Sequence, residues 1–233
     1  MHAERNNTVE TKLVIFDCDG VLVDSEPISL DLLLEMIRAG GGEVSRETAY
    51  REFLGRSMAS VAAELQEKHG VRITDALLAK MRAGLQSRFR RELKPIPGIA
   101  EALECLDLPC CVASSSQPER IELSLSVCGI RDRFGSNVFS ASMVERGKPA
   151  PDLFLLAAKT MGFAPETCLV VEDSPAGIAA ARAAGMKVIG FAGGSHAVPA
   201  GLAARIEALE PDYILDEMAG LQDALKAVDL ARN

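Results

Sequence analysis

Two aspartates, Asp17 and Asp19, lie directly after the apolar run Leu13–Phe16. Side chains two residues apart in an extended segment share a face, so both carboxylates are predicted to point the same way. Like charges at that distance repel each other unless a cation lies between them or one carboxyl holds a proton. Gly20 lets the backbone bend directly after the pair. The pattern therefore predicts a divalent metal site that includes a nucleophilic carboxylate.

Further apolar runs predict the strands that would surround this pair. They lie at residues 110–113, 168–171, 187–191 and 213–215, with a further short strand at 138–139. These runs are apolar on both faces and alternate with helical stretches, which is typical of a parallel sheet covered by helices. Ligands of such sheets bind at the carboxyl ends of the strands. The residues that follow the strands are therefore the candidates for chemistry.

The polar residues at these strand ends suit a phosphoryl site. Mg²⁺ takes oxygen ligands, which Asp17, Asp173 and the backbone carbonyl of Asp19 could supply. Ser114 and the amide of Ser115 precede a predicted helix, and a hydroxyl with free amides at a helix start suits phosphate oxygens.

A lysine in the sequence Gly-Lys-Pro, Lys148, is predicted to lie at the same rim. Its charge could neutralise both the nucleophile and the transferring group. Because Pro149 follows it, where a P-loop has Ser or Thr, the segment is not a P-loop.

The interval between the first strand and residue 110 contains no predicted strand. Helical periodicity is found instead at residues 25–39, 58–68 and 75–93. The sequence Pro-Ile-Pro-Gly at 95–98 is typical of a stiff linker. We therefore predict a helical cap domain at 25–95, inserted into an α/β core made of residues 1–24 and 96–233.

Bulk composition narrows the class of partner. The 233 residues carry a formal net charge of −8 and a pI near 5.0, which argues against nucleic acid or an anionic membrane as a partner. No apolar run approaches membrane-spanning length, and the first ten residues lack the apolar region of a secretory signal. The six cysteines show no CxxC spacing. We expect a cytoplasmic protein with reduced thiols, monomeric by default, that acts on a small molecule.

Four motifs occur in order along the chain. They are Asp17-Cys-Asp19-Gly-Val-Leu-Val-Asp-Ser-Glu, Ala113-Ser114-Ser-Ser, Gly147-Lys148-Pro-Ala-Pro-Asp152 and Val171-Glu172-Asp173-Ser-Pro-Ala-Gly177. With these motifs the chain resembles the phosphohydrolases of the haloacid dehalogenase (HAD) superfamily. The similarity is greatest to the branch that holds β-phosphoglucomutase, 2-deoxyglucose-6-phosphate phosphatase and 6-phosphogluconate phosphatase. The resemblance implies an α/β fold, with a Rossmann-like parallel sheet core and an inserted α-helical cap.

The resemblance also implies a reaction, the Mg²⁺-dependent hydrolysis of a small phosphate ester such as a sugar phosphate or sugar-acid phosphate. Asp17 would attack the phosphorus and form an aspartyl-phosphate. Asp19 would protonate the leaving alcohol and then take a proton from the hydrolytic water. Lys148 would be the third catalytic residue, and Ser114 would help it to hold the phosphoryl group.

The metal site and the cap receive their expected residues from the same resemblance. Asp173 would bind Mg²⁺ together with Asp17 and Asp19, and Glu172 would be a further ligand or would hydrogen-bond metal-bound water. In the cap, Arg56 is the candidate for contact with an anionic group of the substrate.

Two alternative functions use the same residues. A β-phosphoglucomutase-type phosphomutase must hold a second phosphate, and such enzymes carry Ser-x-Ser-Lys-Asn after the second strand. Gln117 and Pro118 stand at the last two of those positions and bring no charge and no amide donor, which weakens that alternative without removing it. A non-catalytic phospholigand-binding protein is disfavoured because the nucleophile and the acid are both retained.

Four side chains near the motifs receive structural rather than catalytic predictions. Ser174 is expected to cap the helix that Pro175 opens. Asp24 and Ser25 are expected to cap the first inserted helix. His196 shows no ligand spacing; its loop after the fifth strand could bring it to the edge of the site, but a plain surface position is the expectation.

Overall fold

The computed structural model describes residues 10–53 and 58–231. Its strands are β1 (Leu13–Phe16), β2 (Cys110–Ser114), β3 (Val138–Ser140), β4 (Cys168–Glu172), β5 (Lys187–Phe191) and β6 (Tyr213–Leu215). Its α-helices are α1 (Glu26–Ala39), α2 (Arg46–Glu52), α3 (Met58–His69), α4 (Asp75–Glu92), α5 (Ile99–Glu104), α6 (Pro118–Val127), α7 (Asp152–Met161), α8 (Pro175–Ala183), α9 (Leu202–Glu207) and α10 (Leu221–Leu230).

The six strands form one parallel sheet in the order β3-β2-β1-β4-β5-β6. Strand β1 lies in the middle, with Ile15 paired to Cys111 on one side and to Val170 on the other. Alternate residues of β1 enter different apolar clusters, Leu13 and Ile15 on one face and Val14 and Phe16 on the other. The sheet is therefore buried on both faces, which explains the continuous apolar runs in the sequence.

The α/β class and each predicted strand are confirmed, with β2, β3 and β4 one residue longer than expected. The helices predicted at 25–39, 58–68 and 75–93 are present to within one residue at each end. Helix α2 was not predicted, because only Ala49 and Tyr50 of its seven residues are buried and they make no helical stripe. None of the helices described here is both long enough and apolar enough to cross a membrane.

Helices α1 to α4 follow β1, and the chain leaves and rejoins the sheet region at adjacent points. The backbone amide of Asp24 donates to the carbonyl of Lys94 at 2.9 Å, and the amide of Ile96 donates to the carbonyl of Leu22 at 3.0 Å. The two connecting segments therefore run side by side. The division into a core of 1–24 and 96–233 and a cap of 25–95 remains a prediction that this pairing supports.

Candidate active site

The carboxyl ends of the central strands open into a cavity of about 1050 Å³. Its lining includes the described residues that the sequence analysis selected: Asp17, Asp19, Ser114, Ser115, Lys148, Glu172 and Asp173. Asp17 follows β1, the two serines end or follow β2, and the acidic pair ends or follows β4. The parallel sheet thus brings together residues that are far apart in the chain, as expected from its topology.

The turn after the two aspartates requires glycine. Gly20 has φ of +81°, and its amide donates to the carbonyl of Val23 at 2.8 Å. A Cβ atom at this position would lie 1.9 Å from Oδ2 of Asp173. Glycine therefore permits both the left-handed backbone and the close approach of the β4 carboxylate to the β1 loop.

Lys148 is buried between two carboxylates. Its Nζ donates to Oδ1 of Asp17 and to Oε2 of Glu172, both at 2.7 Å, and to the carbonyl of Ala113 at 3.0 Å. The same Nζ lies 4.8 Å from the ring centroid of Phe154. Three acceptors match the three protons of an ammonium group, so the lysine is fixed in place with its charge shared between Asp17 and Glu172.

One lysine is not enough for the acidic cluster around Asp17. Asp17, Glu172 and Asp173 are all buried, and one carboxylate oxygen of each lies within 4.8 Å of the others. Burial, followed by repulsion from Glu172, raises the pKa of Asp17 well above its ordinary value, although Lys148 opposes the rise. Burial and Glu172 raise the pKa of Asp173 in the same way. When all three carboxyl groups are ionised, the cluster therefore carries more negative charge than Lys148 alone can neutralise.

Glu172 has its two oxygens committed within the protein. Oε2 accepts from Lys148, while Oε1 accepts from the amide and the hydroxyl of Ser174 at 3.0 and 2.8 Å. A Cβ at Gly177 would lie 2.0 Å from Cδ of Glu172, so glycine there makes room for the carboxylate beside α8. Of the two roles expected for Glu172, this favours the supporting one over direct metal ligation.

Asp173 is oriented by a histidine that the sequence analysis expected at the surface. His196 is only 1% exposed, and its Nε2 lies 3.1 Å from Oδ2 of Asp173. Burial lowers the pKa of His196, and its Nε2 is the ring nitrogen that faces the carboxylate. The surface prediction was wrong because the loop after β5 folds back over Gly20, where His196 fills the space beside the missing side chain.

The residues present fit a divalent cation. The raised pKa values of Asp17 and Asp173 mark two oxygen donors whose charge is not matched by the protein, and a hard cation such as Mg²⁺ prefers such oxygens. His196 contacts Asp173 on the side where a supporting residue of a metal ligand would lie. Asp19 was predicted to contribute its backbone carbonyl, and its side chain is engaged elsewhere.

Asp19 lies in surroundings opposite to those of Asp17. Its Oδ1 accepts from Oγ of Ser25 at 2.6 Å and from a terminal nitrogen of Arg120 at 2.8 Å, and its Oδ2 accepts from Oγ of Ser116 at 2.6 Å. Burial acts to raise the pKa of Asp19, but the Arg120 charge and these hydrogen bonds outweigh it and lower the pKa. Hydrogen-bond donors therefore surround the Asp19 carboxylate, whereas the Asp17 carboxylate lies beside two other carboxylates and Lys148.

Arg120 is a site residue that the sequence analysis missed. It is the third residue of α6, a first-turn position where the helix dipole disfavours a cation. A basic residue at the start of a helix that follows a strand end is therefore a signal that could have indicated a role at the rim.

The expected phosphate-binding serines lie in the loop between β2 and α6. Ser114 is buried and its Oγ accepts from the amide of Ser116 at 3.1 Å, while Ser115 is exposed to the cavity. Pro118 is the first residue of α6, as expected. Arg56, the predicted cap contact, lies outside the described residues.

Of the three residues expected to cap helices, one does so and two make other hydrogen bonds. Ser174 caps α8 as predicted, since its Oγ accepts from the amide of Gly177 at 3.0 Å. Ser25 precedes α1 but donates its hydroxyl to Asp19, and Asp24 accepts from Oγ of Ser195 at 2.8 Å. The capping prediction for these two residues was wrong because nearby polar groups at the rim take their hydrogen bonds.

The cap side of the cavity is largely apolar in the part that is described. The half-buried side chains of Met58, Met81 and Leu85 face it, together with the exposed Arg82 and Gln86. This wall stands opposite the polar rim, so a bound ester would have its phosphoryl end at the sheet and its remainder at the helices.

Comparisons with known proteins agree with this arrangement. The family model of haloacid dehalogenase-like hydrolases matches residues 11–185. A 6-phosphogluconate phosphatase from Escherichia coli is 32% identical over 187 residues, which cover 80% of this chain and 85% of that protein. A fructose-1-phosphate phosphatase from the same species is 31% identical over 179 residues, covering 76% and 94%. A conserved haloacid dehalogenase-like protein from Agrobacterium tumefaciens has a similar solved structure, with a TM-score of 0.86 at 35% identity over 93% of this chain and 98% of that one.

Proposed function

The chain belongs to the haloacid dehalogenase-like hydrolases, and on this basis we propose that it is a Mg²⁺-dependent phosphatase acting on a sugar phosphate or sugar-acid phosphate. The observation that carries the proposal is the contrast between two carboxylates on one loop. Asp17 lies among acids and Lys148, while Asp19 lies among hydrogen-bond donors. Such divergent surroundings suit a nucleophile and a separate proton carrier.

The first step uses both carboxylates. An oxygen of Asp17 attacks the phosphorus as the bond from phosphorus to the ester oxygen breaks. The departing electron pair stays on the ester oxygen, which takes a proton from Asp19. Because the pKa of Asp19 is lowered in the free protein, this carboxyl gains that proton from solvent when the anionic substrate binds beside it. Lys148 holds Asp17 in place and offsets charge on the transferring group.

The second step returns the enzyme to its starting state. Asp19, now a carboxylate, takes a proton from water as that water attacks the phosphorus of the aspartyl-phosphate. The bond from phosphorus to the Asp17 oxygen breaks, which frees the Asp17 carboxylate and releases inorganic phosphate. Ser114, Ser115 and Lys148 hold the phosphoryl oxygens during both steps. A Mg²⁺ ion held by Asp17, Asp173 and the Asp19 carbonyl would supply further positive charge at the phosphoryl group.

The substrate class rests on the relatives and on the shape of the site. The two curated relatives described above are named for a sugar-acid phosphate and a sugar phosphate. The cavity of about 1050 Å³ has room for a leaving group of that size beyond the phosphoryl site.

A panel of phosphorylated metabolites, assayed for phosphate release with Mg²⁺, tests the proposal. We expect a sugar phosphate or sugar-acid phosphate to be hydrolysed best, and Asp17→Asn to abolish release from every member. Absence of turnover across the panel, or full activity of Asp17→Asn, would contradict the proposal. Isomerisation of β-glucose 1-phosphate that outruns all hydrolysis would instead establish the phosphomutase alternative.

A further inference from the structure

We propose that Arg120 is a positioning residue for the proton transfer, holding the Asp19 carboxylate toward the ester oxygen and making that orientation depend on helices α1 and α4. The inference rests on the proposed phosphatase function. It assigns to the first turn of α6 a part in catalysis that the four sequence motifs do not contain.

The contacts of Arg120 join three regions. One terminal nitrogen donates to Oδ1 of Asp19 at 2.8 Å and lies 3.5 Å from Oγ of Ser29 in α1. The guanidinium carbon lies 5.1 Å from the ring centroid of Phe89 in α4. A planar cation stacked on an aromatic face is restricted in direction, so Phe89 and Ser29 determine where the guanidinium meets the carboxylate.

The position of Arg120 has costs that indicate a function beyond folding. A cation in the first turn of a helix opposes the helix dipole. Its Nε atom is also buried without a hydrogen-bond partner in the part of the chain that the structure describes. A residue that served stability alone would not need to accept both costs, and its ion pair with Asp19 offsets them.

The contact between Arg120 and Asp19 matters at the moment of proton transfer to the ester oxygen. As the bond from phosphorus to the ester oxygen breaks, the proton of Asp19 passes to that oxygen and the carboxylate gains negative charge. The guanidinium already contacts Oδ1 of this carboxylate, so it stabilises the developing charge without rearrangement. Substrates whose leaving group needs no proton should gain little from Arg120.

The leaving group therefore separates this role from a purely structural one. For Arg120→Met we expect kcat to fall about 100-fold with the best sugar phosphate of the panel, a loss typical of impaired general acid catalysis. With p-nitrophenyl phosphate, whose leaving group departs without a proton, the rate of nitrophenolate release in the first turnover should fall less than about 5-fold, because only the later hydrolysis of the aspartyl-phosphate needs Asp19 as a base.

Two conservative variants and one matched control complete the test. Arg120→Lys keeps a donor for Asp19 but loses the planar stack, so it should recover about 10-fold of the loss with the sugar phosphate. Phe89→Leu should lose less activity than Arg120→Met, and its loss should again be larger with the sugar phosphate than with p-nitrophenyl phosphate. Arg88→Met, which removes a cap arginine paired with Asp31 and Glu92, should affect both substrates equally.

Equal losses on both substrates in Arg120→Met would overturn the inference. A loss in Arg88→Met that is also larger with the sugar phosphate than with p-nitrophenyl phosphate would overturn it too. If Arg120→Met does not fold, Arg120→Lys and Phe89→Leu decide the question by the same comparison of sugar-phosphate turnover with first-turnover nitrophenolate release. Failure of the proposed function is recognised separately, because Asp17→Asn would then retain activity.

Discussion

Asp17 and Asp19 are two residues apart in the chain, yet the fold gives them opposite electrostatic surroundings. Burial and Glu172 raise the pKa of Asp17, with Lys148 opposing them. Burial also acts to raise the pKa of Asp19, but the Arg120 charge and the serine hydroxyls reverse the direction. Elements from elsewhere in the chain create this difference: the Lys148 loop and β4 meet one carboxylate, and the start of α6 meets the other. The difference in pKa between the two carboxylates is thus set by tertiary neighbours rather than by local sequence.

The largest expected effect separates the two carboxylates by reaction step. Asp17→Asn should lower kcat at least about 10⁴-fold for every ester, since an amide cannot replace the nucleophile. Asp19→Asn should block turnover of sugar phosphates but still release one equivalent of nitrophenolate from p-nitrophenyl phosphate, measured as a burst. A burst from Asp17→Asn, or indistinguishable behaviour of the two variants, would remove the distinction.

A second comparison concerns two glycines with nearly the same backbone. Gly20 and Gly41 have φ of +81° and +85°, but an added Cβ would strike Asp173 only at Gly20, with no atom within 4 Å at Gly41. We expect Gly41→Ala to cost about 1 kcal/mol from backbone strain alone. Gly20→Ala should cost about 3 kcal/mol in urea unfolding, because Asp173 must also move. Equal costs would show that the close approach to Asp173 is not important for stability.

A third prediction concerns the histidine on the Asp17 side. His196→Ala should raise the Mg²⁺ concentration for half-maximal activity about 10-fold, as expected when the side chain that contacts a proposed metal ligand is removed. His196→Ala should also reduce the increase in Tm that Mg²⁺ produces. Ser195→Ala, which removes a neighbouring hydroxyl bonded to Asp24, is the control and should leave both quantities near wild type. Unchanged Mg²⁺ dependence in His196→Ala would argue against this supporting role.

The smallest expected effects are changes in the free energy of unfolding, and these have opposite signs for Asp17→Asn and Asp19→Asn. The pKa of Asp17 is raised in the folded state, so its ionisation costs stability as pH rises through that pKa. In chelator-treated protein Asp17→Asn should therefore gain about 1 kcal/mol at pH above 7, with the gain vanishing below its unfolded pKa of about 4.

The pKa of Asp19 is lowered in the folded state, so its stabilising contribution is present above the unfolded pKa and is lost as pH falls through the folded one. Asp19→Asn should therefore lose about 1 kcal/mol at neutral pH, and the loss should shrink in acid. Urea unfolding of both variants between acid and mildly alkaline pH measures the two signs. A common sign would contradict the contrast.

The sequence predicts the sheet and the residues at its rim well, because β1, β2 and β4 are buried on both faces and their carboxyl ends must meet. It predicts less well the features that depend on how segments distant in the chain pack together. Helix α2 lacks an apolar stripe, and His196 lies in a loop whose course depends on Gly20. Arg120 stands outside the motifs, and its contact with Phe89, 31 positions away in the chain, depends on how α4 packs against α6.

The central claim is that Asp17 carries the phosphoryl group while Asp19 moves the proton. The most direct measurement is acid quenching of Asp19→Asn during its reaction with p-nitrophenyl phosphate, followed by mass spectrometry of the peptide that contains residue 17. We predict one phosphoryl group on Asp17, formed in amounts equal to the nitrophenolate burst. A burst without phosphorylation of Asp17, or a phosphoryl group on a different residue, would contradict the account.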